Sequence, residues 1–409
     1  MHPTDRRLRR SLTPWSLGLL LSFGLAASVA AQETQVATAL SEERPEIAQV
    51  RDTVESLIQS KNIAGAVVLV QHRGEILHAE AQGYRDVESK SLMTLDTHFR
   101  IYSMTKPITS AAVLLLVEEG KIGLDDDVGD HLPEMANRRV YRSPHRTRSP
   151  GRPVTVRDLL RHTSGLTYGF FGDGPVDQLY MQDHPLYSAT LLEMMAKVQP
   201  LPLVHRPGEA FTYGISTDVL GALVERVSGE PFGEFLERRL FAPLEMTETR
   251  FYAPDASRLA SVYQPGGELH EAATGSDFLK RDRLESGGGG LISTAGDYLH
   301  FCEMLLNQGT FRGQQILQPS TVEAMTQNQL PPGVYTSASA GFGLGVEVEL
   351  SDQGAAAHEG QYGWNGIAST HFWISPRDEL VVIALTQRWP FSNELRNLLT
   401  PIVYNAITQ

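Results

Sequence analysis

The chain has 409 residues, of which 41% are hydrophobic and 20% charged, a globular composition long enough to bury a large core. Its net charge of −13 argues against nucleic acid or an anionic membrane as a partner. The single cysteine, Cys302, excludes an intramolecular disulfide, and no Cys/His cluster has metal-ligand spacing.

Residues 1–31 differ from the rest. Arg6, Arg7, Arg9 and Arg10 precede an apolar run from Trp15 to about Ala27, and small residues follow at 28–31. This pattern predicts a signal peptide, and hence an exported protein, periplasmic or secreted, with no stable membrane insertion after cleavage. The apolar run is short for a transmembrane helix. Residues 32–45 read as a polar linker. The spacing of Ile47, Val50, Val54, Leu57 and Ile58 predicts an amphipathic helix to about residue 60. Residues 64–71 and 76–84 read as a β-hairpin about a turn at 72–75.

The stretch 99–120 (FRIYSMTKPITSAAVLLLVEEG) leads from a short β-prone run into an apolar helix ended by Gly120. It holds Ser103-Met104-Thr105-Lys106, an S-x-x-K. A helix starting near Ser103 places hydroxyl and amine on one face at the positive end of the helix dipole. That end disfavours an ammonium and favours an oxyanion, an arrangement for an activated serine nucleophile.

Residues 120–283 read as a mainly helical region. Residues 137–153 carry Arg138, Arg139, Arg142, Arg146, Arg148 and Arg152 without an apolar period, which predicts a solvated surface insertion. A docking site for an anionic substrate is the other reading of this run. Residues 155–166 predict a short helix capped by Thr155 and ended by Gly165, with His162 near its end in a structural hydrogen bond. The aromatic- and glycine-rich residues 167–187 read either as a lid over an apolar pocket or as a loop packed on the core. A Pro207-Gly208 turn leads into a β-prone piece ending at Tyr213, and a helix with Val219, Leu220, Leu223 and Val224 follows. A phenol held between such neighbours can shuttle protons.

Gly287-Gly288-Gly289-Gly290 lacks the lysine of a phosphate cradle and predicts a tight loop approaching another backbone. Cys302 sits on an apparent apolar helix as a small buried hydrophobe. Residues 341–350, 370–374 and 379–386 return to β texture, and a final helix begins near residue 393. The economical fold is α/β (α+β). One antiparallel sheet is built from both ends of the chain, in regions 46–119 and 284–409, flanked by helices, with 120–283 as a large helical insert.

Together, Ser103-x-x-Lys106, Tyr213, the 155–166 segment and the 287–294 loop resemble the serine β-lactamase/penicillin-binding-protein superfamily. The resemblance is to its class C-like branch, and within that to family VIII carboxylesterases. It spans about 47–407 and implies a single catalytic unit with its site between sheet and helical regions. It implies Ser103 as the acylated nucleophile, Lys106 as the activating amine and Tyr213 as general base and acid. The oxyanion is then held by the Ser103 N–H and an N–H of a late strand. No cofactor or metal is expected, and the expected partner is a small-molecule ester. Two departures shape specificity. Ile215 stands where class C enzymes have the asparagine of Y-x-N, and Trp364-Asn365-Gly366 stands where they have K-T-G. His358-Glu359-Gly360 is a competing placement of that third motif. Neither offers a lysine for a substrate carboxylate, which favours neutral esters with short to medium acyl chains. The alternatives are a β-lactamase, a D-amino-acid or D-Ala-D-Ala peptidase, or a non-catalytic peptidoglycan-binding or scaffold protein. No G-x-S-x-G is present, which disfavours an α/β-hydrolase esterase.

Overall fold

A computed structural model describes residues 45–354 and 357–408, so the leader expected at 1–31 lies outside the described residues. The chain enters through helix α1 (Pro45–Gln59) and the hairpin of β1 (Gly65–His72) and β2 (Glu75–Asp86), with β3 (Ser91–Leu92) beyond. The late strands are β4 (Ala340–Phe342), β5 (Glu347–Glu349), β6 (Tyr362–Gly366), β7 (Thr370–Ser375) and β8 (Leu380–Thr386). All pair antiparallel in the order β4-β5-β6-β7-β8-β1-β2-β3. The two chain ends join at β1 and β8, in register Ala66 to Thr386 through His72 to Leu380. The sheet expected from both ends is therefore present. The continuous β texture of 341–350 resolves into two short strands, because Gly343 to Val346 form the turn between them.

Every residue of β1 and β8 is buried, because successive side chains serve opposite faces and both faces are covered. Val67, Leu69, Val381, Ile383 and Leu385 join the main core. Ala66, Val68, Val70, Val382 and Ala384 join a second core under α1 and the last helix, α6 (Glu394–Thr408). There they meet Val50, Val54, Leu57, Leu399 and Val403.

The main core is threaded by α2 (Thr105–Glu118), in which Thr105 through Leu116 are all buried. A helix apolar on all sides belongs inside a protein, and α2 packs against α4 (Ser216–Ser228). The insert between them carries a short helix, α3 (Val156–Leu160). On the sheet lies α5 (Ala295–Leu306), where Cys302 is buried as a small apolar residue. No helix among the described residues is long and apolar enough to cross a membrane.

The arginine run divides. Arg139, Arg142, Arg146 and Arg148 are exposed, as expected, on a small hairpin of Val140–Ser143 and Arg146–Arg148. Arg152 is exposed as well, though anchored, and only Arg138 corrects the expectation. Arg138 is buried and donates to the carbonyls of Val198, Gln199 and Leu201, capping carbonyls at the end of helix Leu191–Val198. Arg152 grips the buried carboxylate of Asp158 through both terminal nitrogens.

Candidate active site

Ser103 sits in a tight turn, Tyr102–Met104, which runs directly into α2. The approach is fixed by a two-residue strand, Phe99–Arg100, paired with Ile292–Ser293. Tyr102 adopts a φ of 42°, a left-handed conformation unusual for an aromatic residue. It is held there by an edge-on contact with Phe278, at 5.6 Å between ring centroids. Behind the turn, Tyr298 Oη donates to the Met104 carbonyl at 2.8 Å. One turn later Lys106, wholly buried, brings Nζ to 3.1 Å from Ser103 Oγ. The neighbourhood expected from the S-x-x-K spacing is thus present. From the other side Tyr213 Oη approaches Ser103 Oγ to 2.6 Å, across 110 residues of sequence. Lys106 Nζ also lies 4.6 Å from the centre of the Tyr213 ring.

The segment before Tyr213 corrects one expectation: it forms no strand. Its backbone is tied instead to the 158–163 segment. Thr212 N–H donates to the His162 carbonyl and Gly208 N–H to the Thr163 carbonyl, each at 2.8 Å. That segment is in turn fixed by Asp158. Its carboxylate accepts from Arg152, Arg161, Thr155 and Thr163, and closes the cap of α3. α3 ends at Leu160, short of Gly165, because the chain turns away at His162, whose φ is 55°. His162 is structural, as expected. Gly214 N–H donates to Nδ1, so Nε2 carries the proton and faces Thr217 Oγ1. Its ring packs 4.9 Å from that of Tyr213. Burial, and next the Lys106 charge, hold its pKa well below the usual imidazole value.

Sequence reading missed two residues beneath the serine. Lys106 Nζ donates to Tyr168 Oη at 2.9 Å and to the Gly288 carbonyl at 2.7 Å, so each of its three hydrogens has an acceptor. Tyr168 Oη lies 3.4 Å from Asp218 Oδ2. Asp218 is buried in the first turn of α4 and also accepts from Gly288 N–H at 3.0 Å and from Ser286 Oγ. Burial raises its pKa, against the pull of Lys106. Burial, and then Asp218, raise Tyr168 well above the ordinary phenol value, so Tyr168 is a neutral donor. The glycine loop makes the expected close approach to another backbone: a Cβ at Gly287 would lie 2.5 Å from the Thr217 carbonyl oxygen. One at Gly288 would lie 2.4 Å from Asp218 Oδ2 and 2.7 Å from Tyr168 Oη. Asp218 looks in sequence like an ordinary first-turn acid. The available signal was an acid at the head of a helix otherwise lined by apolar residues.

Of the two placements for the third motif, only Trp364-Asn365-Gly366 is at the site. Trp364 packs 5.5 Å from the Tyr213 ring, and its Nε1 lies 3.4 Å from Tyr213 Oη. β5 pairs only with Tyr362 and Gly363, so 364–366, still paired with β7, have an edge free of β5 beside the Ser103 turn. Gly366 permits that approach, since a Cβ there would lie 2.4 Å from the Ile101 carbonyl. Asn365, half-buried, pairs with His371 of β7. His358 instead bonds Asp378 at 2.6 Å and packs on Tyr404 of the second core, on the other side of the sheet. Ile215 also differs from expectation. It is wholly buried in the main core just before α4 and faces no open cleft.

A serine hydroxyl flanked by a phenol and an amine can lose its proton into that pair without a histidine. Comparison with known proteins agrees with the family expected from the motifs. The family model described as beta-lactamase matches residues 50–402. Protein Rv1367c of Mycobacterium tuberculosis is 35% identical over 350 residues, covering 80% of this chain and 86% of that protein. Esterase EstB of Burkholderia gladioli is 32% identical over 375 residues, covering 85% of this chain and 92% of that protein. The solved structure of EstCE1, described as a hydrolase with promiscuous acyltransferase activity, superposes with a TM-score of 0.77 at 30% identity, over 88% of this chain and 98% of that one. The chain belongs to the β-lactamase superfamily, alongside its family VIII-type esterases and acyltransferases.

Proposed function

We propose that this protein is a serine carboxylesterase acting through an acyl-enzyme on Ser103, on neutral esters with short to medium acyl chains. One observation carries the reading: Ser103 Oγ is within 2.6 Å of Tyr213 Oη and 3.1 Å of Lys106 Nζ. With one proton of the Tyr213–Lys106 pair already released to solvent, the Ser103 proton passes to Tyr213 Oη as Oγ attacks the ester carbonyl. The ester C–O bond then breaks, and the pair returns the proton to the departing alkoxide through Tyr213. Water attacks the acyl-enzyme by the same route in reverse and frees the acid. Tyr168, Asp218 and the Gly288 carbonyl hold Lys106 in place throughout. The Ser103 N–H and the edge of β6 that β5 leaves free supply the oxyanion donors.

The choice of ester over lactam or peptide rests on what borders the pair. Trp364 stands there, where a carboxylate-binding lysine would be, and position 215, turned into the core, presents no amide to the cleft. An alcohol in place of water would make the same acyl-enzyme a transferase, a reading supported by the activity named for EstCE1. A fluorophosphonate probe followed by mass spectrometry is expected to label Ser103; label elsewhere would overturn the nucleophile. Turnover of p-nitrophenyl butyrate is expected to exceed that of a chromogenic cephalosporin, and the reverse order would make the protein a lactamase.

A further inference from the structure

From the Ser103 site a continuous run of aromatic rings leads out to solvent. The Phe171 ring lies 5.8 Å from that of Tyr213, and Phe170 follows at 4.6 Å from Phe171. Phe170 lies nearly flat between two other rings, 5.0 Å from Tyr168 at an interplanar angle of 19° and 5.6 Å from His184 at 23°. Tyr187 continues from His184 at 5.1 Å. The rings nearest the serine are buried or half-buried, but Phe170 is 46% exposed, Phe171 58% and Tyr187 81%. Contiguous aromatic surface left open to water marks a place where something binds.

The rings are also held still. Thr167 Oγ1 donates to Asp177 Oδ1 at 2.7 Å, tying the start of the segment to helix Pro175–Gln182. His184 ties its end. Leu186 N–H donates to Nδ1 at 3.2 Å, so Nε2 donates to the Tyr168 carbonyl at 2.9 Å. A loop merely packed on the core would turn its rings inward. This one is braced by hydrogen bonds and turns them out, beside the reacting hydroxyl, so the ordering cost of a binding surface is already met.

We propose that Phe170, Phe171 and Tyr187 form a preformed wall that binds a flat aromatic or fused-ring portion of the ester substrate. The inference rests on the esterase reading and deepens it from neutral esters to aryl-bearing ones. Stacking against such rings favours flat π surface over a thin alkyl chain of equal hydrophobicity. The ring can enter on the acyl side or on the alcohol side of the ester, and matched substrates separate the two.

The test compares methyl 2-naphthylacetate, with the ring on the acyl group, 2-naphthylmethyl acetate, with the ring on the alcohol, and methyl butyrate, with none. In the Phe170→Ala/Phe171→Ala double variant, kcat/KM for one naphthyl ester is expected to fall about ten-fold more than that for methyl butyrate, mainly through KM. The ester affected identifies the side. Tyr187→Ala, at a site too exposed to threaten folding, is expected to shift the same ester in the same direction by a smaller factor. Equal loss on all three esters, or no loss on either naphthyl ester, overturns the wall. Calorimetric titration with 2-naphthylmethanol keeps the two readings apart, because it needs no turnover. If no ester is hydrolysed, the esterase reading falls, while weaker binding of that alcohol by the double variant upholds the wall. Equal binding by wild type and variant overturns it.

Discussion

The two sides of Ser103 are built on opposite rules. Below it, Lys106, Tyr168, Asp218 and the Gly288 backbone form a dry polar cluster in which each hydrogen of the lysine has an acceptor. Above it, Phe170, Phe171 and Tyr187 leave apolar rings open to water. A buried polar cluster is tolerable only when fully satisfied, and then it fixes one geometry. An open aromatic wall fixes none until a ligand covers it. The contrast teaches that reactivity and choice of substrate are separable here: substitutions below the serine are expected to change kcat, and those above it KM.

The largest expected effect is at the serine shared by both sides. Ser103→Ala is expected to lower ester kcat at least about 10⁴-fold, measured with p-nitrophenyl butyrate, while retained turnover would remove the centre from the comparison. Tyr213→Phe and Lys106→Ala are each expected to cost about 10³-fold in kcat. Asp218→Asn sharpens the contrast further. The substitution removes the carboxylate that accepts from Ser286 Oγ and Gly288 N–H beneath Tyr168. We expect kcat to fall about ten- to a hundred-fold with KM nearly constant. An unchanged kcat would reduce Asp218 to a packing role.

The smallest expected effect reads the two sides by acid stability. Burial lowers the pKa of His162 below the serine and, less strongly, of His184 above it. A histidine depressed in the folded state takes up its proton in the unfolded chain first. Stability is therefore full above about pH 6.5 and is lost as pH falls below that value. In thermal melts at pH 7 and 5, His162→Gln is expected to narrow the difference in Tm more than His184→Gln does. Burial also pushes His371, in β7, down to about 3, so a residual acid sensitivity is expected in both variants. A wider difference in His162→Gln would show that this imidazole is charged when folded.

What could be read from the sequence was whatever lies along one element. Ser103 and Lys106 are one helical turn apart, so spacing alone brought them together. The buried alternation of β1 and β8 showed as unbroken apolar runs, and the sheet from both ends followed. Tyr213 was legible through a motif resemblance, though its distance to Ser103 depends on 110 intervening residues. Tyr168 and Asp218 were not legible, because what distinguishes them is a partner on another element. Arg138 failed for the same reason: among six arginines nothing marks the one whose acceptors lie at 198–201. Ile215 was read as a specificity residue from the asparagine it replaces, but only the packing reveals that it is sealed in the core.

The seam where β1 meets β8 has a consequence for the order of assembly. Thr386 Oγ1 donates to the Gly65 carbonyl, a bond between residues 321 positions apart. The serine, the lysine and the tyrosine are all synthesised long before β8, yet β6 reaches the serine only through a sheet that β8 bridges to β1. Closing so long a loop is slow and comes late in folding. A partly made or partly folded chain therefore carries the reacting groups without the strand that completes their cleft. On the proposed mechanism, acyl transfer is expected to begin only when the last strand has locked into the first.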